Sequence, residues 1–158
     1  MAQFVIRPAT TADTATIVDF NLRIAAETED TSLDRDLVTR GVEALLTQAA
    51  HGRYYVACAD QAVVGQIMHT REWSDWRNGD IWWVQSVYVR RDHRRRGVFR
   101  SLYDYVRNLA AADPAVVGVR LYVDADNRVA QATYERLGMD TARYRIMEDL
   151  FPPGRDRA

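Results

Sequence analysis

Apolar and polar positions recur along this chain with two periods, and the switches between them mark its elements. From Ile81 to Val89 the residues are mostly β-branched or aromatic, which suits a buried, pleated strand. Beyond it, Val98, Phe99, Leu102, Tyr103, Val106, Leu109 and Ala110 recur at helical spacing and leave Arg100, Asp104, Arg107 and Asn108 outward. Upstream, the pattern predicts a short first strand at Phe4, Val5, Ile6 and Arg7 that Pro8 stops. A helix follows, capped by Thr10 or Thr11, with Ile17, Val18, Leu22 and Ala25 on its inner side. An acidic break at residues 27–32 separates it from a second helix, which begins near Asp34 and turns Leu37, Val38, Val42, Leu45 and Leu46 inward.

Residues 54–59 and 63–70 then read as a hairpin turning at Asp60 and Gln61, and residues 71–80 as an aromatic, charged loop leading into the central strand. After the third helix comes a strand over residues 116–123. Asp124 or Asp126 would cap a last helix bearing Val129, Ala130, Thr133, Tyr134 and Leu137, which Gly138 would end. Residues 139–150 read as one further strand. The expectation is a mixed α/β fold, with a single domain over residues 1–151 and a loose tail at 152–158.

Composition narrows the function. At 158 residues and 47% hydrophobic, the chain can bury a sizeable core. A net charge of −1 supplies no global field for nucleic acid or an anionic membrane. With no apolar run of ~20 residues and no signal-peptide pattern, the expectation is a cytoplasmic protein with no membrane partner. Cys58 is the only cysteine, which excludes an internal disulfide, and His51, His69 and His93 show no ligand spacing, so no metal is assigned.

Charge is concentrated at one place. Between the central strand and its helix, residues 90–96 carry five arginines, one aspartate and one histidine, and Gly97 closes the run. Unpaired N–H groups and the positive dipole end at a helix start favour an anion, and glycine removes the Cβ that would hold a ligand off the backbone. Taken alone, an arginine run also reads as a solvated turn; its position at a strand-to-helix junction favours a phosphate cradle. All 21 basic residues are arginine, so a lysine-bearing P-loop is excluded, and no G-x-G-x-x-G occurs.

The stretch Val89-Arg90-Arg91-Asp92-His93-Arg94-Arg95-Arg96-Gly97-Val98-Phe99 resembles the acetyl-CoA motif of the GNAT superfamily of N-acetyltransferases, Arg/Gln-x-x-Gly-x-Gly/Ala. Arg94 and Gly97 match, and Phe99 departs where Gly or Ala is usual. Asn127-Arg128-Val129-Ala130-Gln131-Ala132-Thr133-Tyr134 resembles the second signature, Asn-x-x-Ala-x-x-x-Tyr. The resemblance spans nearly the whole chain and implies a mostly antiparallel twisted sheet, splayed at the cofactor site and flanked by about four helices.

It also implies acetyl transfer from acetyl-CoA to a primary amine of a small molecule or peptide, without an acyl-enzyme, and CoA as product. Val87, Tyr88 and Val89 would offer backbone groups to the pantetheine arm and thioester, with the Val87 amide facing the acyl oxygen. Arg94, Arg95, Arg96, Gly97, Val98, Phe99 and Arg100 would wrap the pyrophosphate. Asn127 would bond the pantetheine arm or cap its helix, and Tyr134 would protonate the departing thiolate, which suits a phenol of pKa ~10.

For the base, Gln85 stands where many members of the superfamily place a glutamate, so Glu27 and Glu29 come first, then Glu72 and Asp75. Glu27, Glu29, Trp73, Trp83 and Gln85 would line the acceptor side, where aromatic faces and acids suit a cationic amine. A homodimer through exposed strands is compatible with the resemblance. The competing reading is a CoA-binding sensor module with little transfer.

Overall fold

The computed structural model describes residues 4–152, and the backbone falls into two compact units that part between Tyr122 and Val123. The first holds a five-stranded sheet in the order β1 (Val5–Pro8), β2 (Gly52–Ala59), β3 (Ala62–Ser74), β4 (Gly79–Val89) and β5 (Val116–Leu121). Neighbours from β1 to β4 run antiparallel, whereas β4 and β5 run parallel. Helices α1 (Thr14–Thr28) and α2 (Arg35–Thr47) connect β1 to β2, and α3 (Val98–Ala112) makes the crossover that a parallel pair requires. The α/β class and the mixed, mostly antiparallel sheet are as expected.

Each face of the sheet has its own core. Tyr55, Ala57, Val64, Ile67, Trp82 and Val84 meet Val98, Leu102, Val106 and Ala110 of α3 on one face. On the other, Tyr54 and Met68 meet Ile17, Val18 and Val42 of α1 and α2. A fully buried large aliphatic or aromatic side chain contributes about 1.5–3 kcal/mol, so these faces hold the first unit together. Helix α3 lies very close to β3 at Gly65, where an added Cβ would stand 2.9 Å from Val98 Cγ1 and 3.1 Å from the Tyr88 carbonyl oxygen.

Several boundaries differ from the sequence reading. Helix α1 continues through Glu27 and Thr28, so the break starts at Glu29. Most of the expected loop at 71–80 is strand, because the β3–β4 ladder continues through Trp73↔Asp80 to Ser74↔Gly79. At the β2–β3 hairpin, Asp60 and Gln61 both take positive φ, +48° and +70°, the backbone of a two-residue type I′ turn.

The second unit carries α4 (Arg128–Arg136). Its cap is Asn127, not Asp124 or Asp126: Asn127 Oδ1 accepts from the Ala130 N–H at 3.0 Å, while Asp124 Oδ1 is engaged by the Asp126 N–H. At the other end Gly138, at φ +89°, donates to the Glu135 carbonyl and Met139 donates to the Tyr134 carbonyl, a Schellman closure that glycine makes without strain. The strand expected over residues 139–150 is not formed. A strand needs a neighbour for its N–H and C=O groups, and none pairs with this segment among the described residues; Tyr144, Ile146, Met147 and Leu150 are exposed. Of the expected tail, only residue 152 lies within the described residues.

Candidate functional site

The site is assembled where β4 outruns β5. Their pairing ends at Val84↔Leu121, yet β4 continues to Val89, paired only with β3. Along residues 85–89 no strand pairs with the β5 side of β4 among the described residues, so the sheet leaves backbone N–H and C=O groups unused there, of the kind that a ligand with its own amides can engage. This is the splay expected of the sheet.

Within that segment β4 bulges. Ile67 of β3 stands across from both Ser86 and Val87, and Ser86 takes φ +49°. The extra residue shifts the alternation of side chains. Val84 and Val87 both pack toward α3, whereas Gln85 and Tyr88 face the other side, where Tyr88 meets Phe20 of α1 at 4.8 Å between ring centroids. Gln85 Nε2 donates to Thr70 Oγ1 at 2.7 Å.

From Val89 the chain enters the basic turn. Arg91–His93 form one short 3₁₀ turn, Arg95 takes φ +61° and Gly97 φ +85°. Among the described residues no side chain caps α3 at Gly97, and the first turn of a helix presents N–H groups that the helix itself does not use. A Cβ at Gly97 would meet no atom of the described residues beyond its chain neighbours within 4 Å. A helix start without a side-chain cap, with left-handed residues just before it, suits an anion through its N–H groups and the positive end of the dipole.

The arginines divide into two sets. Arg90 pairs with Asp92 at 2.7 Å and Arg100 with Asp104 at 3.4 Å. Arg91 and Arg94 both turn to Glu27 on the last turn of α1, at 3.1 and 2.7 Å, and the Tyr88 hydroxyl donates to the same carboxylate at 3.2 Å. Arg94 also donates to the Val89 carbonyl and lies 5.4 Å from the Tyr88 ring centroid. Arg95 and Arg96 have no ion pair among the described residues and are exposed at the open side of the turn. Two guanidinium groups thus fasten the turn to α1 while two remain free for an anion.

Glu27, a candidate base in the sequence reading, is correspondingly committed to the turn from the last turn of α1. Its side chain is 19% exposed, and the Arg94 hydrogen bond, with Tyr88 and Arg91, holds its carboxyl below the ordinary range. A carboxylate stabilised in this way is a weak proton acceptor. Glu29 is the exposed residue that ends α1, with its N–H bonded to the Ala25 carbonyl. Glu72 lies on β3, where it accepts from Trp83 Nε1 and Arg120 Nη1, both at 3.0 Å. Asp75 sits in the hairpin turn and accepts from the Trp76 N–H.

The tryptophans part as strand alternation requires. Trp82 is buried on the α3 face, stacked 3.7 Å from the His69 ring. Trp83 faces the other way, 4.5 Å from the Tyr122 ring with Arg120 over it. Trp73 and Trp76 are exposed at the far end of the β3–β4 hairpin. Tyr134 and Asn127 belong to the second unit, Tyr134 on α4 and Asn127 at its cap.

Sequence reasoning missed a polar cluster beneath the bulge. Gln66 is fully buried; its Nε2 donates to Asn21 Oδ1 at 2.8 Å and to the Ser86 carbonyl at 3.0 Å. Asn21 Nδ2 donates to the Tyr54 hydroxyl at 3.0 Å, which also meets the Ser86 side chain, while burial pushes the Tyr54 phenol up. The available signal was polar Gln66 and His69 standing inside the apolar run of β3.

Among the described residues no cluster of histidine, cysteine or carboxylate side chains could hold a metal, and no helix is long and apolar enough to cross a membrane.

The comparisons with known proteins agree with this architecture. No curated protein matches the chain. A solved structure described as a possible acetyltransferase from Clostridium difficile 630 is 46% identical, with a TM-score of 0.89 over 94% of this chain and 98% of the other. A predicted acetyltransferase from Clostridium acetobutylicum, in a crystal structure with acetyl-CoA, is 14% identical with a TM-score of 0.77 over 93% and 96% of the two chains. A ribosomal-protein-alanine N-acetyltransferase from Brucella melitensis biovar Abortus 2308 is 18% identical, with a TM-score of 0.74 over 95% and 100%. At such identities the last two show a shared fold and no more. The family model of the acetyltransferase (GNAT) family matches residues 20–139, a span that contains the bulged strand, the arginine turn and the Asn127–Tyr134 segment, and this chain belongs to that family.

Proposed function

We propose that this acetyltransferase moves an acetyl group from acetyl-CoA directly to a primary amine of a small molecule or peptide, both substrates being bound together. The observation that carries the reading is the open segment of β4 running into an uncapped helix start, with Arg95 and Arg96 unpaired beside it. The residues fit the cofactor: a long amide-bearing arm suits the bare backbone of residues 85–89, and a pyrophosphate suits the turn and helix start at residues 95–100. Bound acetyl-CoA supplies an activated thioester.

In this reading the start of α3 at Gly97 and Val98, with the Arg95 and Arg96 side chains, holds the pyrophosphate. Arg94 acts as a strut, since its guanidinium is committed to Glu27 and the Val89 carbonyl. The Val87 N–H stabilises charge developing on the acyl oxygen, where a single donor can contribute about 3 kcal/mol in acyl transfer. Tyr134 gives its phenolic proton to the leaving thiolate, a role that rests on the second sequence motif. Glu27 is occupied, whereas Glu29, exposed and without an ion pair among the described residues, is free to take the proton of the attacking amine. Trp73, Trp83 and Gln85 belong to the acceptor side.

The test is calorimetric titration of acetyl-CoA, then free-thiol release in the same sample against polyamines, amino acids, aminoglycosides and peptides. Binding with release on one class establishes the activity and names the acceptor type. Tight binding without release on any class transfers the protein to the sensor reading, and absence of binding overturns the cofactor assignment.

A further inference from the structure

The bulge in β4 is held from below by a polar device without a place among the reacting groups. Gln66 sits in the middle of β3, fully buried, and spends one amide nitrogen on two acceptors, Asn21 Oδ1 at 2.8 Å and the Ser86 carbonyl at 3.0 Å. Its own Oε1 finds no hydrogen-bond partner among the described residues. A buried acceptor left unpaired destabilises a fold, and an apolar side chain of the same shape would avoid that cost. Such a violation of the core's rules is expected where a side chain serves something other than stability.

What the side chain serves is visible at its far end. A non-glycine residue at φ +49° is strained and persists only when its surroundings hold it there. Two groups hold Ser86: Gln66 Nε2 on its carbonyl, and the Tyr54 hydroxyl at its side chain. Both groups are tied to Asn21 on α1, through Oδ1 and Nδ2 respectively. The peptide joining Ser86 to Val87 carries both the captured carbonyl and the Val87 N–H. Because a peptide group is planar, fixing the carbonyl fixes the direction of that N–H.

We propose that Gln66 and Asn21 are positioning residues that lock the β4 bulge and thereby aim the Val87 N–H at the acyl oxygen. This deepens the proposed function and rests on it for the role of Val87, while the lock is a property of the protein without substrate. Misplacing a reacting group by about 1 Å can lower turnover on the order of 100-fold. Binding of the nucleotide end, at residues 95–100, does not depend on the bulge.

The variant is Gln66→Met, which keeps the shape and removes the donor, and three quantities are read. Amide hydrogen exchange of the substrate-free protein is expected to quicken roughly 10-fold or more at Ser86 and Tyr88, which flank the locked peptide, while Leu102 and Val106 stay protected. Acetyl-CoA affinity should stay within about 3-fold, and thiol release with the best amine of the panel should fall on the order of 10- to 100-fold in kcat at unchanged KM for acetyl-CoA. A purely structural role would loosen the α3 amides as well and move binding and turnover together.

Unchanged exchange at Ser86 and Tyr88, or unchanged kcat, overturns the proposal. Should Gln66→Met not fold, Asn21→Ala, on the helix surface side of the network, is read by the same three quantities with smaller shifts in the same direction. Failure of the wild-type protein to bind acetyl-CoA would sink the proposed function, whereas the exchange measurement would still decide the lock.

Discussion

Replacing Gly65 by alanine tests the link between the sheet and the cradle. The added Cβ would lie 2.9 Å from Val98 Cγ1, 3.1 Å from the Tyr88 carbonyl oxygen and 3.3 Å from Leu102 Cδ1. The carbonyl belongs to β4, which is paired on its β3 side and cannot retreat freely, so α3 must move outward by a few tenths of an ångström. Overpacking of this kind destabilises by about 1–3 kcal/mol, and loss of glycine's freedom in the unfolded chain offsets about 0.4–1 kcal/mol. The net expectation is about 1–2 kcal/mol, which for a domain of this size lowers Tm by roughly 2–8 °C.

Val98 is also the first residue of α3, so the displacement moves the N–H groups that would face the pyrophosphate. Scanning calorimetry of Gly65→Ala beside the wild type reads the stability change, and titration of acetyl-CoA should show affinity weakened by a factor of roughly 3–10. A Tm equal to or above the wild type's would refute the claim that close approach at Gly65 sets the position of α3. Lowered Tm with unaltered affinity would separate the helix start from the binding site.

Tyr134→Phe should lower thiol release on the order of 100-fold while acetyl-CoA affinity stays within about 2-fold; equal turnover would remove the phenol from the reaction. Arg95→Gln with Arg96→Gln should weaken acetyl-CoA binding by roughly 10-fold or more at low salt and flatten its salt dependence, because two exposed guanidinium groups are lost; an unaltered salt slope would place the phosphates elsewhere. His69, buried between the Trp82 and Tyr55 rings, is held by burial near a pKa of about 4 against an ordinary 6.5. The unfolded chain therefore takes up this proton first, and stability should decline as pH falls from 6.5 towards 4, by about 3 kcal/mol in total. In His69→Phe that decline should shrink, as followed by urea unfolding across the range. The Arg7 pair, at 2.8 and 2.9 Å, keeps the Asp13 carboxyl below its ordinary 3.8. Its stabilisation is complete above pH 3.8 and is lost as pH falls through the depressed value, so Asp13→Asn should cost about 1–2 kcal/mol at pH 7 and less in acid, read by urea unfolding of both proteins at the two pH values.

Much of the fold was legible because local periodicity and burial agree. The central strand, α3 and the α2 start at Asp34, whose carboxylate accepts from the Leu37 N–H, lie where spacing and capping chemistry put them. Boundaries failed where a neighbour decided them. The ladder continues through Arg71 to Ser74 because β4 is alongside, and residues 139–150 alternate like a strand yet lack one to pair with among the described residues.

The candidate site divides in the same way. Local sequence determined the arginine turn, the glycine that closes it and the helix that starts there, since strand, turn and helix start are contiguous. Tertiary structure decided what each charge does. Glu27 and Arg94 stand 67 positions apart, and only the packing of α1 against β4 brings them to 2.7 Å and turns a candidate base into an anchor. Gln66, Asn21 and Ser86 lie on three different elements, and their meeting under the bulge follows from strand register, which no single stretch of sequence contains. Periodicity says which face a residue occupies. Which partner it finds there depends on distances set by the whole sheet and the helices packed on it.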